Sequence, residues 1–299
     1  MNLKKKYTLI VANLTFALSL IALSGGYAIA SDLEQIKKQG VLRHIGTPYA
    51  NFITGQGDGL DMEIMRRFAN HLGVEYQFVQ SDWGNLFADL TGNKIKPIGD
   101  TVDIKGKAPV RGDIIANGLT KLKWRQQVVN YSDPTFPTQV WAIARADFPQ
   151  KPIASKGDID QDIKAVKKLL KGKRVMGKEG TCLAPGLYGI DARVAQIINF
   201  PGSLNDIAPA IIKGEADIAL LDVPDSLVAL EKWPGKIKVL GPVSPQQEMG
   251  AGFRKSSPEL LKEFNAFYAH LKTSGEYRML IKKYYPAVFS YYPEFFRKN

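Results

Sequence analysis

The chain has 299 residues, with 40 Lys and Arg against 29 Asp and Glu, a formal net charge of +11, and a single cysteine. One cysteine excludes an intramolecular disulfide framework, and three histidines, His44, His71 and His270, stand too far apart to suggest a metal centre. The basic charge is dispersed: its densest run, Lys164 to Arg174, alternates with Val166, Leu169 and Leu170 like a solvated amphipathic helix, which argues against a nucleic-acid surface.

Lys4, Lys5 and Lys6 precede a mostly apolar stretch from Tyr7 to Leu23, and Ala28-Ile29-Ala30 before Ser31 has the small-residue spacing of a signal-peptidase site. Residues 1–30 therefore read as a cleaved signal peptide and the mature chain as periplasmic and soluble, without a cysteine at the junction to carry lipid. Losing them lowers the formal charge from +11 to +8. With 45% hydrophobic residues the remainder can bury a large core, and its length suggests two lobes.

Strands and helices then alternate, which predicts an α/β fold with loops of functional use at strand ends. Val41 to Ile45 is a short strand. Leu60, Ile64, Phe68 and Leu72 recur every four residues, which predicts a helix over 61–72 stopped by Gly73. Val74, Tyr76 and Phe78 alternate as a strand, Trp83 opens a short helix through Leu90, and Asp113 to Ala116 is the next strand. Between these last two, Thr91 to Gly112 is rich in Gly, Lys, Pro and Asp and predicts a long loop or small flap, either surface decoration or a lid.

After Pro134 come a strand over 140–144 and a polar crossing over 147–157. A helix over 159–170, a strand at Arg174-Val175-Met176, and a turn over 178–182 follow, the turn leading into a helix with Pro185 near its start and free amides toward an anion. Further strands are predicted at 197–200, 216–222 and 236–240, with a helix over 205–212. Ser257-Pro258-Glu259 caps a helix bearing Leu260, Leu261, Phe264, Phe267, Tyr268 and Leu271. The aromatic tail, from Tyr284-Tyr285-Pro286 to Phe295 and Phe296, is expected to pack back onto the first lobe.

The segment Asn117-Gly118-Leu119-Thr120, with Arg125 five residues beyond Thr120, sets a hydroxyl and backbone donors after an apolar strand and then a guanidinium. That is equipment for holding a small carboxylate. Together with Asp222-Val223-Pro224 and Met249-Gly250-Ala251-Gly252-Phe253-Arg254, it resembles the family 3 extracellular solute-binding proteins of the amino-acid-binding type. The resemblance implies a two-lobed periplasmic binding protein fold (type II). Lobe 1 would comprise 31–143 plus 251–299, with an insertion at about 92–111 of roughly seventeen residues beyond an ordinary connection. Lobe 2 would comprise 144–250, joined to lobe 1 by two crossing strands.

The resemblance also implies a ligand-binding set. Gly118, Thr120 and Arg125 would hold the ligand's carboxylate, Tyr49 and Trp83 would sandwich its aliphatic part or else pack in the core, Lys178 and Thr181 would line a second-lobe loop, and Asp222 would receive an ammonium or cap the following helix. Gly46 departs from the family, standing where a second acid often meets the ammonium, and Cys182 is expected to be an inert wall residue. The implied function is capture of an amino acid or similar small carboxylate by hinge closure, for an inner-membrane ABC permease or a membrane receptor, by a monomer without cofactor or catalysis.

Two relatives of this fold keep other functions open. Gly59-Leu60-Asp61, Phe68-Ala69 and Leu72-Gly73 are also similar to the non-catalytic domain of membrane-bound lytic transglycosylases, which suggests a murein-fragment binder or sensor; with the sequence ending at Asn299, the lysozyme-like domain is not expected. A cyclohexadienyl-dehydratase-like enzyme would need a cleft carboxylic acid poised for elimination, and no residue stands out for it.

Overall fold

A computed structural model describes residues 32–155 and 157–298. The signal segment read over residues 1–30 lies outside the described residues. The first part of the fold runs α1 (Asp32–Gln39), β1 (Val41–Gly46), α2 (Leu60–Leu72), β2 (Glu75–Gln80), α3 (Leu86–Thr91), β3 (Asn93–Ile98), β4 (Thr101–Lys107), β5 (Ile114–Ile115), α4 (Lys123–Val128), β6 (Val129–Tyr131) and β7 (Phe136–Thr138). The second part runs β8 (Val140–Arg145), α5 (Ile159–Leu170), β9 (Arg174–Gly177), β10 (Gln196–Asn199), α6 (Ile207–Ile212), β11 (Ile218–Asp222), α7 (Val223–Lys232), β12 (Ile237–Pro242) and β13 (Gln247–Met249). β14 (Gly252–Arg254), α8 (Pro258–Thr273), α9 (Glu276–Tyr284), α10 (Val288–Tyr291) and α11 (Pro293–Lys298) complete the chain.

Two five-stranded sheets organise these elements, in the orders β2-β1-β5-β14-β6 and β10-β9-β11-β8-β12. In the first, β1 pairs in parallel with β2 and β5, and the returning β14 is antiparallel. In the second, β9 pairs in parallel with β10 and β11, while β8 runs antiparallel between β11 and β12. β11 is buried along its whole length, and so reads as the uninterrupted apolar run Ile218–Leu221 rather than as an alternation. The sequence places the crossing between lobes after the strand over 140–144. That strand instead joins the second sheet, so the chain leaves the first sheet after Tyr131. A two-stranded β7–β13 ribbon lies on the two connections.

Helix α2 confirms its periodicity: Leu60, Ile64, Phe68 and Leu72 are buried, and Phe68 meets Phe264 edge to face at 5.1 Å. Each such buried side chain contributes about 1.5–3 kcal/mol. Gly73 ends the helix at φ 70°, where its N–H reaches back to the Ala69 and Asn70 carbonyls. His44 is a satisfied core residue. Its ring lies 2.6 Å from the Ala116 carbonyl and 2.9 Å from the Tyr76 hydroxyl, and burial lowers its pKa to about 4.

Several local expectations change. Of the two expectations for Thr91 to Gly112, the small flap holds rather than the loop: β3 and β4 form an antiparallel hairpin, turned at Gly99, where φ is 58°. The helix expected near Pro185 is a single 3-10 turn, Pro185–Tyr188, too short to offer a helix N-terminus. Ser257 precedes α8, but its hydroxyl donates to Asp32 rather than capping the helix. Trp83 lies in the turn before α3, which begins only at Leu86.

The aromatic tail packs, as expected, on the first sheet's side. The Tyr285 hydroxyl accepts the Asn51 N–H at 2.8 Å, and its ring stacks obliquely on Phe52 and Phe136. It also reaches farther. Tyr291 lies 5.5 Å from Trp141 of β8, so the tail touches both lobes.

Candidate functional site

Arg125 projects from α4 and is 1% exposed, one of the largest fully buried side chains. Its guanidinium sits among rings, 5.2 Å from Trp124, 5.6 Å from Phe87 and 5.8 Å from Trp83. Nη1 donates to the Thr120 carbonyl at 3.0 Å, while Nε and Nη2 have no partner. No carboxylate among the described residues forms an ion pair with it. The hydroxyl of Thr120, the indole N–H of Trp83 and the Asn117 amide nitrogen are also buried and unpartnered. Burying a guanidinium without an anion is costly, and unpartnered donors add to that cost. Of these, Thr120 and Trp83 stand beside the guanidinium, so Arg125 Nε and Nη2, the Thr120 hydroxyl and the Trp83 indole N–H leave unsatisfied hydrogen-bonding capacity in one place.

The other sequence-predicted residues fall into two groups. Thr120 and Trp83 stand with Arg125, and Tyr49 meets Trp83 edge to face at 5.3 Å. Tyr49 also crosses to the second lobe: its hydroxyl donates to Asp222 Oδ2 at 2.5 Å. A second bridge, from the Ala50 N–H to Asn205 Oδ1 at 2.8 Å, fixes the same junction. Asp222 both caps α7, accepting the Asp225 N–H at 3.3 Å, and accepts Tyr49 across the lobe junction.

Gly118 and Lys178 are turned elsewhere, and Thr181, though it borders the outer cleft, is bonded within its own loop. The Gly118 N–H donates to Asp61 at 2.7 Å, so it is committed within the first lobe. Lys178 Nζ donates to the carbonyls of Phe200 and Gly202 at 3.1 and 2.8 Å, bracing its own loop. Thr181 is buried and bonds the Lys178 carbonyl and the Leu183 amide. For Gly118 and Lys178 the partner lies within the same lobe but 57 and 22 to 24 positions away, and for Thr181 within its own turn.

Sequence reading passes over Asn117 and Asp225. Asn117 Oδ1 accepts the Thr47 N–H at 2.8 Å and leaves its amide nitrogen free. It opens the segment that leads to Thr120, but nothing in the spacing shows which way it points. Asp225 sits one turn into α7, buried beside Asp222. Burial raises Asp222 to about 6, countered in part by the Tyr49 hydroxyl, and burial with the Asp222 charge raises Asp225 well above the carboxylate range. Cys182 is the expected wall residue, its thiol 3.5 Å from Asp222 Oδ2 and pushed up by burial. Gly46 has no room for an acid, since a Cβ there would lie 2.3 Å from Ile53 Cδ1 and 2.8 Å from Asn117 Oδ1.

A cleft of about 860 Å³ opens outward from Trp124 and Thr181, between the β3–β4 hairpin and the loop at Glu179–Leu187. The hairpin is thus placed at the cleft. Asp100, near its tip, accepts Lys123 Nζ at 2.9 Å and, through its carbonyl, Gln127 Nε2 at 2.8 Å.

The model of the bacterial extracellular solute-binding proteins, family 3, matches residues 104–287. The L-cystine-binding protein TcyJ of Escherichia coli is 25% identical, over 89% of this chain and 92% of that protein. Membrane-bound lytic murein transglycosylase F of Desulfosudis oleivorans is 26% identical over 77% of this chain, which spans only 44% of the transglycosylase. Among solved structures, a mutant of ArgBP from T. maritima superposes with a TM-score of 0.67 at 23% identity, covering 85% of this chain and 99% of that one. The ancestral amino-acid-binding protein AncCDT-1, a precursor of cyclohexadienyl dehydratase, gives 0.64 at 24% identity, covering 86% and 100%. These two structures share the two-lobed type II periplasmic binding fold. With two sheet-bearing lobes and a family model that covers more than half of its length, the chain belongs to the family 3 bacterial extracellular solute-binding proteins.

Proposed function

We propose that the protein is a periplasmic solute-binding protein that captures an amino acid or related small carboxylate and delivers it to an inner-membrane ABC-type importer. The observation that carries this is Arg125, buried among three aromatic rings with two unpartnered nitrogens and no carboxylate paired to it. Thr120 and Trp83 add donors beside it. Hinge motion about the connections that bear β7 and β13 would separate Tyr49 from Asp222 and admit the solute, and closure would desolvate and strengthen the carboxylate contact.

The test is calorimetry with a thermal-shift screen across amino acids, short peptides and organic acids. At least one carboxylate should bind the wild type, and esterification of that carboxylate should abolish binding; a wild type that binds none refutes the assignment. A second reading, as a murein-fragment binder or sensor, draws support from the lytic transglycosylase relative. Pull-down with a permease would favour import, and pull-down with a receptor or cell-wall enzyme would favour the second. Incubation with prephenate or arogenate is expected to give no aromatic product, although Asp222 is a buried acid at the lobe junction.

A further inference from the structure

We infer that the cleft beneath the β3–β4 hairpin extends the carboxylate site into one for a short peptide, its C-terminal carboxylate at Arg125 and its N-terminal ammonium at Glu179. The inference rests on the proposed carboxylate site and goes beyond it in naming the ligand's length and its second anchor.

The inner cleft has little to offer an ammonium. Asp222 is 0% exposed, and its oxygens already accept the Tyr49 hydroxyl, the Cys182 thiol and the Asp225 N–H. Position 46 is a glycine hemmed in by Ile53 and Asn117, so no acid stands there. Asp225 is buried near Asp222, and burial together with the Asp222 charge pushes its carboxyl up, which disfavours its anionic form. The cationic end of a ligand must therefore find its partner farther out.

The outer cleft supplies one. Its volume of about 860 Å³ falls in the range of roughly 300–1,000 Å³ typical of sites for ligands well above single-amino-acid size. Pro97 of the hairpin and Trp124 form an apolar wall, and Trp124 also stacks under Arg125, so the outer chamber and the anion site share a side chain. Opposite, Gly180 leaves its backbone bare for peptide-to-peptide hydrogen bonds. Glu179 is exposed and forms no ion pair among the described residues, while its own N–H is fixed by Asn199 Oδ1 at 3.0 Å. An extended ligand of about two to four residues, at about 3.3 Å each, would run between these walls. The roof is anchored, because Asp100 is tied to Lys123 and Gln127 of α4, the helix that carries Arg125.

The experiment is calorimetry on the full mature chain, with single amino acids, a tripeptide set and the same tripeptides N-acetylated. Variants are Glu179→Gln, which is exposed and leaves the fold alone, and Arg125→Lys. Tripeptides should bind at least tenfold more tightly than amino acids. Glu179→Gln should weaken free tripeptides about tenfold and leave the acetylated ones unchanged. Amino acids binding as tightly as tripeptides, or a silent Glu179→Gln, overturns the inference and leaves the carboxylate site standing. Binding of neither class, or undiminished binding by Arg125→Lys, removes the carboxylate site and this inference together.

Discussion

The hydroxyl of Tyr49 donates to the carboxylate of Asp222 at 2.5 Å, joining residues 173 positions apart and carried by different lobes. A hydrogen bond to a carboxylate contributes about 1.5–3 kcal/mol when both groups are buried. Tyr49→Phe should loosen the lobe contact. Small-angle scattering of the ligand-free variant should show a larger radius of gyration than the wild type, and identical profiles would show that this bond does not hold the lobes.

Arg125 should dominate affinity for any carboxylate solute. Arg125→Ala is expected to abolish measurable binding. Arg125→Lys keeps the charge but loses the planar fork, and should cost at least tenfold, about 1.4 kcal/mol. Circular dichroism should show both variants folded, since the guanidinium contributes one hydrogen bond to its own lobe, at the Thr120 carbonyl.

Asp61 gives a pH signature independent of ligand. Burial raises its carboxyl to about 7, offset only in part by the Gly118 N–H. Between the unfolded value of 3.8 and about 7, the folded chain holds a proton that the unfolded chain releases. Its contribution to stability is therefore full below about pH 4 and is lost as the pH rises through 7, at about 1.4 kcal/mol per pH unit across that window. Asp61→Asn can still accept the Gly118 N–H and no longer titrates. Denaturant unfolding should thus show its stability, relative to wild type, improving from pH 4 to pH 8, and a pH-independent difference would contradict the burial of that charge.

The aromatic tail should be required for folding. Tyr284, Tyr285 and Tyr292 are buried, and Tyr285 satisfies the Asn51 amide from beneath Phe52. Truncation after Lys283 is expected to remove cooperative unfolding. The milder Tyr285→Phe, which strips one partner from the half-buried Asn51 amide, should lower stability by about 1 kcal/mol. A truncated chain that still melted cooperatively near the wild-type midpoint would reassign the tail to a role outside the fold.

Hydrophobic period and turn chemistry, both local properties, made α2, β1, β9, β11 and α8 legible in the sequence, along with the order of elements that spells two lobes. The closeness of Thr120 and Arg125 was legible too, because residues five apart at the turn from a strand into a helix stay neighbours. Long-range geometry decided the rest. Nothing local shows that β8 sides with the second sheet, since an apolar strand fits either. Nor could spacing reveal that Lys178 and Gly118 spend their hydrogen bonds at home, that Tyr49 reaches Asp222, or that residues 93–107 fold into a hairpin against the cleft. Sequence determines which chemical groups are available within a few residues of one another, whereas partners chosen among residues 22 to 173 positions apart depend on how the sheets are stacked and on which donor lies nearest once they are.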